Sequence, residues 1–136
     1  MIKAEIELRV RYSDTDKMGF LYYGRYANLY EVGRVELFRS LGFSYRNLED
    51  EGTGMPVINM ESKFIHPIKY DELVKVKTII KEIPSSIITF DYEVFNENKV
   101  LANIGKTELT FINLQNKKVV RLPKKLEEII NKSFEK

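Results

Sequence analysis

The sequence predicts an α+β fold, with one long helix set against a run of antiparallel strands and a tail helix at the end. Three observations predict it. Apolar residues alternate with period two at residues 2–11 and recur in four later strand-like runs. Between them, residues 24–41 change to a helical period and contain no proline. The turns at Pro84-Ser85-Ser86 and Asn96-Glu97-Asn98 are short enough for hairpins, so the runs they join are expected to be antiparallel. Helices segregated from such a run define the α+β class.

The first strand is expected over residues 2–11, with Ile2, Ala4, Ile6, Leu8 and Val10 alternating with Lys3, Glu5, Glu7, Arg9 and Arg11. Residues 12–21 hold Ser13, Asp14, Asp16 and Gly19 and read as a loop. The long helix is expected from about Gly24 to Leu41. Tyr26, Tyr30, Gly33, Leu37 and Leu41 form its stripe, Ala27, Arg34 and Phe38 lie beside it, and Gly42 stands at its C-terminus. A helix of about 18 residues is about 27 Å long, close to what a curved five-stranded sheet wraps around. Residues 44–51 add one or two turns between a capping Ser44 and a terminating Gly52. Strands follow at about 57–66, 73–83, 87–96 and 100–112. The third is the clearest, with Ile88, Phe90, Tyr92 and Val94 on one face. Pro123 precedes an amphipathic tail helix, about 123–134, that carries Leu126, Ile129, Ile130 and Phe134.

At 136 residues and 43% hydrophobic, the chain is expected to form a single domain with its own core, with residues about 4–115 as the common part and the tail helix added. Its 22 basic and 20 acidic residues nearly cancel, which argues against nucleic acid as a partner. Lys117, Lys118, Arg121, Lys124, Lys125, Lys132 and Lys136 make the tail locally basic, which reads as a solvated helix. There is no cysteine, which excludes thiol nucleophiles, disulfides and thiolate metal sites and fits a cytosolic protein. The N-terminal alternation of charged and apolar residues is unlike a targeting peptide. The longest apolar run, Phe20-Leu21-Tyr22-Tyr23, is far short of the about 20 residues of a membrane span.

Few residues are left to do chemistry. His66 is the single histidine, and no G-x-S-x-G elbow exists to present a serine to it. Its position in a strand-like run reads as structural. Carboxylates are the stronger candidates. Asp14 and Asp16 flank Thr15 in the loop before the long helix, where they could serve as turn and capping residues, hold a divalent cation, or do acid–base work. Gly19 gives backbone freedom three residues later, and the aromatic run then enters the helix at Gly24. A helix N-terminus carries unpaired N–H groups that polarise a carbonyl, and a carboxylate beside it attacks that carbonyl or activates water.

The stretch Tyr12-Ser13-Asp14-Thr15-Asp16-Lys17-Met18-Gly19, continuing through Tyr22-Tyr23-Gly24-Arg25-Tyr26 to Tyr30-Glu31-Val32-Gly33-Arg34, resembles the 4-hydroxybenzoyl-CoA thioesterase family. Phe64-Ile65-His66-Pro67-Ile68-Lys69-Tyr70-Asp71-Glu72 is similar to that family's segment entering its third strand. The resemblance implies a hotdog fold, a curved five-stranded antiparallel sheet around one central helix. It implies acyl-CoA thioester hydrolysis without a metal or organic cofactor, and a homodimer or homotetramer with sites at subunit interfaces. Asp16 matches the catalytic carboxylate, Asp14 matches the first Asp of the motif, and the N–H groups of Tyr23 and Gly24 match those that meet the thioester carbonyl. Gly19, Tyr22 and Tyr26 are expected near the substrate, and Glu31 and Arg34 in structural roles. Ser85 and Ser86 occupy the hairpin that meets CoA in relatives. Some relatives carry basic residues there to hold phosphate, whereas here Lys81, Lys99 or Lys106 would have to substitute. An acyl carrier protein thioesterase, a non-catalytic acyl-binding or interaction module of the same fold, and a dehydratase are the rival readings.

Overall fold

A computed structural model describes residues 1–135; Lys136 of the basic tail lies outside them. The chain runs β1 (Ile2–Arg9), α1 (Tyr26–Ser40), α2 (Tyr45–Asp50), β2 (Thr53–Gly54), β3 (Val57–Phe64), β4 (Leu73–Ile80), β5 (Ile87–Phe95), β6 (Leu101–Asn113), β7 (Val119–Val120) and α3 (Lys124–Phe134). The strands form one antiparallel sheet. β1, β4, β5 and β6 lie in that order, and β3 pairs with residues 103–109 of β6. The two-residue strands β2 and β7 pair with the last residues of β6. Five strands of useful length around one helix is the hotdog arrangement.

Side-chain size sets how α1 meets the sheet. Tyr26, Tyr30, Gly33 and Leu37 are its buried face, with Arg34 and Phe38 beside them. Gly33 lies against Thr78 and Val76 of β4, where a Cβ would collide with the threonine hydroxyl. Gly105 of β6 leaves room for the Tyr30 ring in the same way. That ring stacks on Tyr92 of β5 with centroids 4.3 Å apart. One helix therefore touches three neighbouring strands, which requires the sheet to bend around it. The alternation read in β5 is the observed one: Ile88, Phe90, Tyr92 and Val94 are fully buried.

The ends of α1 and α2 follow from local chemistry. Gly42 adopts φ +81° just past α1. Its N–H donates to Arg39 O at 3.0 Å, and Phe43 N–H donates to Phe38 O at 3.0 Å. The Phe38 and Phe43 rings meet edge to face at 5.6 Å, which completes a Schellman cap with its hydrophobic contact. Ser44 then caps α2 by accepting from Asn47 N–H at 3.1 Å. α3 buries Leu126 and Ile130 completely in the hydrophobic core, together with Leu122.

Several boundaries differ from expectation, each for a reason visible in the pairing. β4 stops at Ile80 rather than residue 83, because its partner β1 opens at Ile2, which pairs Ile80. β3 stops at Phe64, where the N–H groups of Ile65 and His66 converge on the single carbonyl of Ala102. His66 is therefore not a residue within a strand; it is exposed beyond the end of one. α1 starts at Tyr26 rather than Gly24, because Tyr23–Arg25 form a tighter turn closed by Arg25 N–H to Tyr22 O at 2.8 Å. Leu41 caps α1 while still packing against the core.

Candidate active site

The loop between β1 and α1 folds back on itself as a small hairpin. Thr15 bridges Leu21, Asp16 N–H donates to Phe20 O at 2.9 Å, and Tyr22 N–H donates to Asp14 O at 2.9 Å. Gly19 closes the tip with φ +83°, donating its N–H to Asp16 O at 3.0 Å. The side chain of Asp16 is part of this tip. Its Oδ1 accepts Met18 N–H at 2.9 Å and Phe20 N–H at 3.1 Å. Two backbone donors on one oxygen fix the carboxylate and leave Oδ2 without a partner among the described residues. Asp16 is half-buried, so Oδ2 stays reachable.

Asp14 is held differently. Its Oδ2 accepts Arg11 N–H at 3.0 Å and lies 3.7 Å from the Arg11 guanidinium. This is turn and ion-pair chemistry, distinct from the exposed oxygen of Asp16. The two carboxylates thus each bind their own stretch of backbone.

Tyr23 and Gly24 open the turn that leads into α1, so their N–H groups have no acceptor within it. Both residues are exposed. The Tyr22 ring lies over Gly24, so a Cβ at Gly24 would come within 2.7 Å of it. The rings of Tyr22 and Tyr23 meet at 4.5 Å. Asp16, Gly19 and Tyr22 therefore share one hairpin, and Tyr23 and Gly24 follow it directly in the turn that leads into α1. Tyr26 is a turn further in and buried edge to face against Phe64 at 5.1 Å. Burial pushes its phenol up to about 12, so it stays protonated at neutral pH.

A second segment clasps this hairpin. Leu21 N–H donates to Ile68 O at 2.7 Å, Phe20 bridges Lys69, and Tyr70 N–H donates to Gly19 O at 3.3 Å. Exposed Tyr12 and Tyr70 meet at 5.6 Å beside it. The sequence marked the 64–72 segment by resemblance but gave no sign of this backbone clasp.

Ser85 and Ser86 are not brought to Asp16 within one chain. Their carbonyls accept Leu122 N–H and the Thr110 hydroxyl, both at 3.0 Å, and Thr110 N–H in turn reaches Pro56 O at the start of β3. The clasp on Asp16 follows the end of β3. Eight strand residues separate the two places by about 25 Å. Lys81 and Lys106 flank that hairpin in a cleft of about 290 Å³, with Lys81 3.9 Å from Asp91, whereas Lys99 sits at the opposite end of β5. His66 is exposed. No group of three or more His, Asp or Glu among the described residues is placed to hold a metal.

Residues 10–130 match the model of the thioesterase-like superfamily. The chain belongs to that superfamily. Among its relatives, a putative esterase of Aquifex aeolicus is 30% identical over 122 residues, covering 90% of this chain and 93% of its own length. The acyl-CoA thioesterase YbgC of Haemophilus influenzae is 27% identical, covering 88% of each chain. Among solved structures, a DHNA-CoA thioesterase from Staphylococcus aureus superposes with a TM-score of 0.94 at 38% identity, covering 98% of this chain and 91% of that one. The Haemophilus and Staphylococcus proteins are named thioesterases. No helix among the described residues is long and apolar enough to cross a membrane.

Proposed function

We propose that this thioesterase-superfamily protein hydrolyses acyl-CoA thioesters, with Asp16 as nucleophile or general base. The observation that carries the reading is the Asp16 carboxylate, immobilised through Oδ1 and open at Oδ2, on the hairpin that runs straight into the turn bearing the N–H groups of Tyr23 and Gly24. The thioester carbonyl oxygen accepts those two N–H groups, which carry the partial positive charge of the helix start. Oδ2 then either attacks the carbonyl carbon, giving an acyl anhydride that water cleaves, or takes a proton from a water that attacks it. Either route expels CoA thiolate, which leaves as the thiol once protonated, and yields the free acid. The Tyr22 ring over Gly24 walls the carbonyl from solvent, and Gly19 holds the turn.

The reading includes a homodimer, and a tetramer built from it, joined at the open edge of β3. Among the described residues this strand pairs only with β6, and it exposes Val57, Ile58, Met60 and Phe64. Antiparallel pairing of two β3 edges places the start of one strand beside the end of the other. That brings the second copy's Ser85–Ser86 hairpin, with Lys81 and Lys106, toward Asp16, where CoA phosphates would meet them. A CoA substrate also implies a cytoplasmic setting.

The test is thiol release from short, medium, long and aromatic acyl-CoAs, with acyl carrier protein thioesters alongside. The likeness to a DHNA-CoA thioesterase makes the aromatic esters the first to try. Turnover of a CoA ester to acid and thiol is the expected result. Binding without thiol release across the panel contradicts it and favours an acyl-binding module. Turnover of carrier-protein esters alone would reassign the carrier.

A further inference from the structure

Inside the fold, behind the hairpin, lies a polar cluster that the proposed chemistry does not use. Tyr30 is fully buried on α1, one turn past Tyr26. Its ring is fixed by Tyr92 on one side and Gly105 on the other. Its hydroxyl donates to Asn103 Oδ1 of β6 and pairs with Ser62 Oγ of β3 at 2.8 Å. Asn103 Nδ2 donates to Ser62 Oγ at 2.9 Å and to Lys63 O at 3.0 Å. With the Ser62 hydroxyl donating to Tyr30, the three side chains form a closed ring in which every donor is used. A closed network of this kind is rigid, and removing one member leaves buried partners unsatisfied.

The cluster joins the two halves of the site. Tyr30 belongs to the helix whose first turn presents the Tyr23 and Gly24 N–H groups. Ser62 and the Lys63 carbonyl belong to the end of β3, which runs directly into the Ile68–Tyr70 clasp on the Asp16 loop. A one-residue slip of β3 would put Glu61 or Lys63 where Ser62 stands, so the ring also reads the register of that strand. We infer that Tyr30, Ser62 and Asn103 are positioning residues for thioester hydrolysis, setting the start of α1 against the Asp16 carboxylate through the end of β3. The inference rests on the Asp16 reading above.

The test measures kcat, KM and thermal midpoint for Tyr30→Phe, Ser62→Ala and Ser62→Thr, and repeats Tyr30→Phe in an Asp16→Asn background. Misplacing reacting groups by a fraction of an ångström is expected to lower kcat about 10-fold in Tyr30→Phe and Ser62→Ala, with KM within about 2-fold. Ser62→Thr keeps the hydroxyl and is expected to keep kcat. In the Asp16→Asn background, Tyr30→Phe is expected to cost no further activity, because there is no longer a carboxylate to align. Folded Tyr30→Phe and Ser62→Ala proteins with wild-type kcat would overturn the inference. So would an equal fold-loss in both backgrounds, since that reports general destabilisation. Undiminished activity of Asp16→Asn by itself would instead overturn the underlying reading of the site.

Discussion

Gly19 and Asp16 depend on one another through a single turn. At φ +83°, Gly19 lets Met18 and Phe20 both point their N–H groups at Asp16 Oδ1. There is open space where a Cβ would go, so the obstacle to substitution is the backbone conformation alone. A left-handed conformation costs a non-glycine residue about 1–2 kcal/mol. Gly19→Ala is therefore expected to lose no more than about that much stability while lowering kcat/KM at least ~10-fold, as the relaxing turn releases the carboxylate. Urea titration and steady-state kinetics check it, and an equally stable, equally active variant contradicts it. At this scale the Asp14–Gly19 loop was legible as a linear pattern before an aromatic run and a helix, whereas only the family resemblance separated Asp16 from Asp14. The bonds on Oδ1 were not, since they depend on dihedral angles that residue identity leaves open. Tyr30 gave a fainter sign: a buried phenol on the core stripe of a helix needs a partner for its hydroxyl. Which partner it finds, 32 and 73 residues away, is fixed only by the packing.

Elements ended where sequence said they would when the signal was local. Gly42 and Ser44 end one helix and start the next through bonds to residues within five positions. Strand ends were misjudged where the deciding residue lay across the sheet, as with Ile2 opposite Ile80 and Ala102 opposite Ile65. The pairs β2 and β7 escaped notice because two residues carry no period. α3 was read correctly from its apolar stripe, and its burial gives it a measurable role. Leu126 is fully enclosed, and truncating such a residue costs about 2–5 kcal/mol. Leu126→Ala is expected to show a loss in that range by denaturant unfolding. A loss below about 1 kcal/mol would mean that α3 is not docked on the sheet in solution.

For the whole molecule, periodicity predicted a sheet around a helix but not which edge would be left open. That depends on strand order, and strand order placed β3 outside β6 with Val57, Ile58 and Phe64 exposed by 45%, 53% and 54%. Ser85 and Ser86, expected to meet CoA by resemblance, lie toward the start of β3 and away from Asp16 within one chain. The proposed pairing of two β3 edges would bring them together. Ile58→Lys is expected to shift sedimentation from dimer toward monomer and to lower thiol release with it, because an edge charge opposes strand pairing. A monomeric and fully active variant contradicts that arrangement. The central claim is narrower and rests on one oxygen atom. Asp16→Asn keeps Oδ1 as acceptor for Met18 and Phe20, so the hairpin should survive while Oδ2 is replaced by an amide that neither attacks nor accepts a proton. The deciding measurement is turnover of this variant on the best acyl-CoA, beside circular dichroism to confirm the fold. A loss of at least ~10²-fold is predicted, and near-wild-type turnover would contradict it.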